Sequence, residues 1–281
     1  MSYGNLYIIA TPIGNSDDIT LRAINLLKNL EVIACEDTRI TSKLCKIHNI
    51  ECKKKLISYH EHNSTKMIPK IIDLLMKGTD IGFVSDAGTP LISDPGYKLV
   101  RCAIENNILI KSVPGASAMS AAISISGIST DQFFFIGFLP KKKSLKFKKI
   151  EQACLINSSI IIFESSKRLI STLKDLLSIL GNRKVSILRE ITKIHEENIF
   201  GTFNSVINSL RKKNIRGEIV IVIEKNESMN KINEKEKIIS MLEESMKKNS
   251  ISEASKEIAK KTLLKKDNIY KLALKIKRNK D

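Results

Sequence analysis

The strongest constraint on this chain is a set of three Gly/Pro loops, each launched from an apolar run. Thr11-Pro12-Ile13-Gly14-Asn15 follows Leu6 to Ile9, the twelve residues from Ser85 to Gly96 follow Ile81 to Val84, and Val113-Pro114-Gly115-Ala116-Ser117-Ala118 closes the run from Ile108. Helix-like sequence comes after each. Loops at the carboxyl ends of parallel strands converge on one crevice, where open α/β sheets bind ligands. Gly and Pro there hold a fixed backbone close to a small molecule. One such loop alone reads as an ordinary βα turn. Three in series read as a binding crevice.

The alternation of strand-like and helix-like segments divides the chain into an α/β unit over residues 1–128, a second over 129–228 and a helical appendage over 229–281. In the first, strands at Leu6–Ala10, Val32–Cys35, Leu56–Tyr59, Ile81–Val84 and Ile108–Val113 alternate with helices, which predicts a parallel sheet of right-handed crossovers. The second has strands at Phe133–Phe138, Ser159–Phe163, Lys184–Leu188 and Glu218–Glu224. Its run Ile219-Val220-Ile221-Val222-Ile223 is apolar at every position, as a strand buried on both faces must be. The fold class is α/β, two domains with mainly parallel sheets and a cleft between them. In the appendage, beyond a polar linker at Asn226-Glu227-Ser228-Met229-Asn230, Ile251–Ala259 and Asp267–Leu274 have the spacing of a helix-turn-helix-like pair. A small helical cap fits that spacing equally well.

Composition narrows the classes. The net charge of +17 invites a nucleic-acid partner, since Lys and Arg neutralise phosphates. Only nine of the 47 basic residues are Arg, however, a Lys-rich profile that base composition alone can produce. No basic segment precedes an apolar stretch at the amino terminus and no apolar run approaches a bilayer span, so a cytoplasmic protein with no membrane contact is expected. Cys35, Cys45, Cys52, Cys102 and Cys154 are odd in number and include no Cys-x-x-Cys pair, which reads as reduced thiols. His60 and His62 lack the spacing of a zinc helix, and no metal site is expected. The chain has no Gly-x-x-x-x-Gly-Lys-Ser/Thr loop and no Gly-x-Gly-x-x-Gly after the first strand, which argues against a nucleotide triphosphatase and a dinucleotide dehydrogenase.

The three loops, with Cys35-Glu36-Asp37-Thr38-Arg39, Ser58-Tyr59-His60-Glu61-His62-Asn63 and Gly137-Phe138-Leu139-Pro140, resemble the tetrapyrrole-methylase-like (class III) S-adenosylmethionine methyltransferases, in particular the branch that modifies small-subunit ribosomal RNA. The similarity covers most of residues 5–225. It implies that S-adenosylmethionine is lined by Pro12, Gly14, Asp86, Ala87, Gly88, Thr89, Pro90, Ile92, Ser117 and Ala118, with Ser165 approaching from the second unit. The implied reaction methylates the ribose 2′-hydroxyl of a cytidine in the decoding region of 16S ribosomal RNA, with the small ribosomal subunit as partner and a homodimer as the assembly. The same fold could instead methylate a tetrapyrrole or other small molecule, or serve as a non-enzymatic RNA-binding assembly factor. A base for the hydroxyl proton would come from Glu36, Asp37, Glu164 or Glu190, each of which reads equally well as an ion-pair partner. RNA contacts are expected from Arg39, His60 and Asn63 and from Lys141, Lys142 and Lys143, with a solvated helix face as the alternative reading of the Lys run.

Overall fold

A computed structural model describes residues 3–51, 55–211, 213–226, 238–246, 249–262 and 266–278. It divides into two compact units, Met1–Glu224 and Lys225–Asp281. Cys52 and the linker beyond Asn226 lie outside the described residues.

The larger unit holds two five-stranded sheets. The first has strands β1 (Leu6–Ile9), β2 (Val32–Cys35), β3 (Lys55–Ser58), β4 (Ile81–Val84) and β5 (Ile110–Val113), all parallel, in the order β3-β2-β4-β1-β5. Crossover helices α1 (Leu21–Asn29), α2 (Thr38–Ile47), α3 (Ser64–Met76) and α4 (Tyr97–Glu105) connect them, and α5 (Ala118–Ile125) follows β5. Every residue of β2 and β4 is buried, because alternate side chains serve two cores. Val32 and Ala34 join Ile71, Leu75 and Leu99 of α3 and α4, while Ile33 and Cys35 join Ala23, Leu27 and Cys45 of α1 and α2. Each fully buried Leu or Ile contributes about 1.5–3 kcal/mol. Local signals set the helix starts: the Thr20 hydroxyl accepts the Ala23 N–H at 3.1 Å, and Asp37 Oδ1 accepts the Arg39 N–H at 2.8 Å.

This strand order creates the crevice. The chain leaves β1 toward β2 and leaves its neighbour β4 toward β5, in opposite directions across the sheet. The carboxyl ends of β1 and β4 are therefore a topological switch point.

The second sheet comprises β6 (Phe133–Phe138), β7 (Ser159–Ser165), β8 (Lys184–Arg189), β9 (Glu197–Thr202) and β10 (Glu218–Ile223), ordered β6-β7-β10-β8-β9. It is mixed where the sequence predicts mainly parallel pairing. Only β6 and β7 run parallel; β10 is antiparallel to β7 and β8, and β8 to β9. The reason is β9, which sequence reasoning missed: Glu197-Asn-Ile-Phe-Gly-Thr has no apolar run, and only alternate residues are half-buried at its start. It returns from β8 through a short loop, and such a hairpin is necessarily antiparallel. Helices α6 (Lys143–Cys154), α7 (Leu169–Leu180) and α8 (Phe203–Leu210) cover this sheet. In β10, Ile219, Ile221 and Ile223 face one core, and Val220 and Val222 the other.

The smaller unit has helical residues 238–246 (α9), α10 (Ile251–Thr262) and α11 (Lys266–Arg278). Leu242, Ala254, Ile258, Ile269 and Ala273 form its own buried core. Ser250 and Glu253 bond reciprocally at the start of α10, with Ser250 N–H to Glu253 Oε2 at 3.0 Å and Glu253 N–H to Ser250 Oγ at 3.4 Å. Among the described residues no helix is long and apolar enough to cross a membrane.

Candidate active site

The three loops meet at the switch point. Thr11 N–H donates to the Gly88 carbonyl at 2.9 Å, and Gly88 N–H returns a bond to the Thr11 carbonyl at 3.0 Å. Thr89 Oγ1 donates to the Ala116 carbonyl at 3.0 Å, tying the long loop to the third. The long loop is held in an uncommon shape, with Leu91 at φ 73° and Ser93 at φ 66°. Non-glycine residues persist there only where surrounding contacts over-determine the backbone, as they do around ligand sites.

The second sheet closes one side of the crevice. Thr192, in the loop after β8, accepts the Asn15 N–H through Oγ1 at 3.1 Å. An open pocket of about 270 Å³ lies between these walls. Its lining combines Pro12, Gly14, Asp86 and Ala87 with Ile40, Thr41 and Leu44 of α2 and with Lys193 and Glu218. The α2 wall and Lys193 are missing from the sequence-based set, since only the folded chain brings those elements beside the loops. Gly88, Thr89, Pro90, Ile92, Ser117, Ala118 and Ser165 are not in this wall. Ser117 and Ala118 are half-buried at the start of α5, and Ser165 is exposed at the end of β7.

Carboxylates gather at the ends of β2 and β4. Asp86 Oδ1 accepts the Asp37 N–H at 2.9 Å, and Glu36 in turn accepts the Asp86 N–H. Burial, then the Asp86 charge, pushes the Glu36 carboxyl above its ordinary range. Asp94 rises to about 6, through burial and then the Glu36 charge, against a hydrogen bond from Ser85. Asp86 is also raised, chiefly by burial. Asp37 goes the other way: the Arg39 guanidinium bonded to it holds its carboxyl at about 2.

The remaining carboxylate candidates are occupied. Glu164, 2% exposed, accepts Thr172 Oγ1 at 2.7 Å and the Ser165 N–H at 2.8 Å, and lies 3.4 Å from Arg168. Glu190 accepts the Glu218 N–H and Lys193 Nζ, both at 2.9 Å. Burial opposes its ionisation, but those two partners outweigh it and keep the carboxyl below its usual range.

The residues expected to touch RNA divide similarly. Arg39 is exposed, with its guanidinium on Asp37. Asn63 Oδ1 accepts the His60 N–H at 2.9 Å and its Nδ2 donates to the Ser58 carbonyl at 3.0 Å, so its side chain builds the turn after β3. His60 Nδ1 is buried without a hydrogen-bond partner among the described residues. Lys141, Lys142 and Lys143 are exposed at the start of α6. Lys146, one turn on, is 7% exposed and paired with Asp175, and belongs to the core of the helix layer.

Comparison with known proteins agrees over the larger unit. The model of the tetrapyrrole (corrin/porphyrin) methylases matches residues 5–207. The chain is 47% identical over 223 residues to ribosomal RNA small subunit methyltransferase I of Halalkalibacterium halodurans, covering 79% of this chain and 76% of that one. It is 44% identical to the Bacillus subtilis protein of the same name, over 81% of this chain and 78% of that one. The namesake from Thermotoga maritima is 43% identical over 224 residues, 80% of this chain and 100% of that protein. Among solved structures, a cobalt precorrin-4 methyltransferase superposes with a TM-score of 0.60 at 19% identity, over 78% of this chain and 94% of that one. The uroporphyrin III C-methyltransferase of Thermus thermophilus gives 0.57 at 14% identity, over 79% and 97%.

Proposed function

Because the chain belongs to the tetrapyrrole (corrin/porphyrin) methylase family, we propose that the switch-point crevice binds S-adenosylmethionine and presents its methyl group to a ribose of small-subunit ribosomal RNA. The chain is a methyltransferase, and relatives at 43–47% identity bear the name of a ribosomal RNA enzyme. The finer assignment is the 2′-hydroxyl of a cytidine in the decoding region of 16S ribosomal RNA. The cofactor reading is supported by two junctions, Thr11 with Gly88 and Thr89 with Ala116, which join the three separate loops into one fixed cradle.

The residues present suit the cofactor. Ile13, Ile40 and Leu44 offer an apolar wall for a purine, and Asp86 offers negative charge toward a cationic ligand. Pro12, Gly14, the loop from Asp86 to Ile92, Ser117, Ala118 and Ser165 are the proposed cofactor contacts. When bound, S-adenosylmethionine supplies a methyl group already activated on a sulfonium. The protein's share of the work is then placement and proton removal. In-line placement of a hydroxyl supplies much of the acceleration, and the rigid loops are suited to it.

Of the four carboxylates, Glu36 is the best-supported proton acceptor. Asp37 is committed to Arg39, Glu164 to Thr172 and Arg168, and Glu190 to Lys193 and the Glu218 N–H. Among the described residues Glu36 accepts from the Asp86 backbone N–H, and its affinity for a proton is raised. The hydroxyl proton would pass to its carboxylate as the ribose oxygen takes the methyl group. Arg39, His60 and Lys141 to Lys143 are the proposed RNA contacts, with the cytoplasm as the site of action and a homodimer as the assembly.

Incubating the protein with methyl-labelled S-adenosylmethionine tests this reading. Label should enter RNA of purified small subunits that lack the modification. Label entering a tetrapyrrole instead, or no transfer at all, counts against it.

A further inference from the structure

Phe138 ends β6 with 56% of its surface exposed, and its surroundings set it apart from other surface apolar residues. The pairing of β6 with β7 slips between Phe135 and Gly137. Gly137 takes φ 71°, a conformation that suits glycine. As a result Ile136 and Gly137 are both buried and Phe138 turns out to solvent. Its ring meets Phe163 edge-on, centroids 5.7 Å apart, and Phe163 meets Phe135 at 4.9 Å. Phe135 and Phe163 share one apolar cluster with Ile13 of the first Gly/Pro loop and with Ala116 and Ala118 of the third. A Cβ on Gly137 would lie 2.8 Å from Ser93 Oγ, so the strand end also abuts the long loop.

The backbone beyond Phe138 is pinned as well. Arg168 Nη2 donates to the carbonyls of Leu139 at 3.0 Å and Pro140 at 3.4 Å. Leu139 is 2% exposed, and Lys141, Lys142 and Lys143 follow, all open to solvent. A fixed, exposed ring at the rim of a crevice, followed closely by three solvent-exposed lysines, of which Lys143 places its ammonium 5.3 Å from the Phe147 ring centroid, has the chemistry of single-stranded nucleic-acid binding. The ring offers a face for a base, and the lysines offer charge to phosphates.

We propose that Phe138 is a positioning residue on which an unpaired RNA base stacks beside the ribose to be methylated. This rests on the RNA reading above and deepens it. The bulge at Gly137 aims the ring, and Arg168 keeps it from retreating when RNA is absent.

The full-length protein carrying Phe138→Ala or Phe138→Trp tests the assignment. Its probe is a decoding-region RNA oligonucleotide with 2-aminopurine replacing single bases in turn. Phe138→Ala should weaken RNA affinity about 5- to 150-fold, the range expected for loss of one base–aromatic stack. Phe138→Trp should restore it, S-adenosylmethionine affinity should stay constant in both, and fluorescence quenching at one base should depend on the ring. Equal RNA affinity of Phe138→Ala and wild type overturns the proposal. So does failure of Phe138→Trp to restore binding, or a parallel loss of cofactor affinity or of self-association. If the wild type methylates no ribosomal RNA, the functional reading fails separately, and the binding comparison still decides the role of the ring.

Discussion

Thr11 and Gly88, 77 residues apart in sequence, are joined by two backbone hydrogen bonds of 2.9 and 3.0 Å. The first bond fixes the loop after β1 and the second fixes the loop after β4, the two strands whose crossovers diverge. Gly88 sits at φ 78°, and a side chain there would approach Ile13 Cγ2 at 3.2 Å. Gly88→Val should therefore loosen the cradle at a cost of roughly 1–2 kcal/mol, the left-handed penalty for an L-residue. Calorimetric titration should read that as an S-adenosylmethionine affinity about 5- to 30-fold weaker. Thr89→Trp, which also removes the bond to the Ala116 carbonyl, should abolish binding in a protein that remains folded.

Glu36→Gln separates chemistry from binding. It should lower kcat by about 10²- to 10⁴-fold, the usual contribution of a positioned base, while leaving cofactor affinity in place. In the wild type, kcat should fall as pH drops through the raised Glu36 value, giving an acid limb above the ordinary glutamate figure of 4.5. Glu164→Gln and Glu190→Gln should act on thermal stability instead, because both carboxylates are bonded into the fold. Equal kcat losses in all three variants would remove the case for Glu36.

Asp94 gives a stability signature. Its folded value of about 6 lies above the unfolded 3.8, so its stabilising share is fully present below about 3.8 and is lost as pH rises through about 6. Asp94→Asn, neutral throughout, should flatten that part of the stability curve. Above pH 6 it should raise stability, read as a higher Tm. A Tm for Asp94→Asn that tracks the wild type from pH 4 to 8 would mean that the carboxyl is not strained by its neighbours.

The lysines around α6 should divide by environment. Replacing Lys141, Lys142 and Lys143 with Glu should weaken RNA binding and lower its salt slope by roughly one unit per lost phosphate contact, with cofactor affinity unchanged. Lys146→Ala should instead destabilise the fold by about 3 kcal/mol, since it strands Asp175 in a largely buried pair. Truncation after Glu224 should matter less than the triple substitution. The Thermotoga maritima relative is matched along its whole length by 224 residues of this chain, without needing the other fifth.

Much of the first sheet was legible because short apolar stretches alternate with helix-like segments, and β1, β4 and β5 are followed by Gly/Pro loops. The loops after β1, β4 and β5 could be placed at one crevice for the same reason. β9 was not legible, since its residues alternate in exposure and include Gly201, and the antiparallel pairing of the second sheet went with it. The roles of individual side chains were the least visible. Asn63 reads as an RNA contact and Asp37 as a candidate base, yet the folded chain spends one on a turn and the other on a cap and on Arg39. The α2 wall and Lys193 carry no local signal and join the site only through the packing of distant elements.

The most direct test of the account is to map ribose methylation in 16S ribosomal RNA from cells lacking this gene, before and after the purified protein and S-adenosylmethionine are added to their small subunits. The account predicts that one decoding-region cytidine is unmodified beforehand and afterwards carries a methyl group on its 2′-oxygen, detected by mass spectrometry and by resistance to alkaline cleavage at that nucleotide. A methyl group on a base, on a nucleotide outside the decoding region, or on no RNA at all would contradict it.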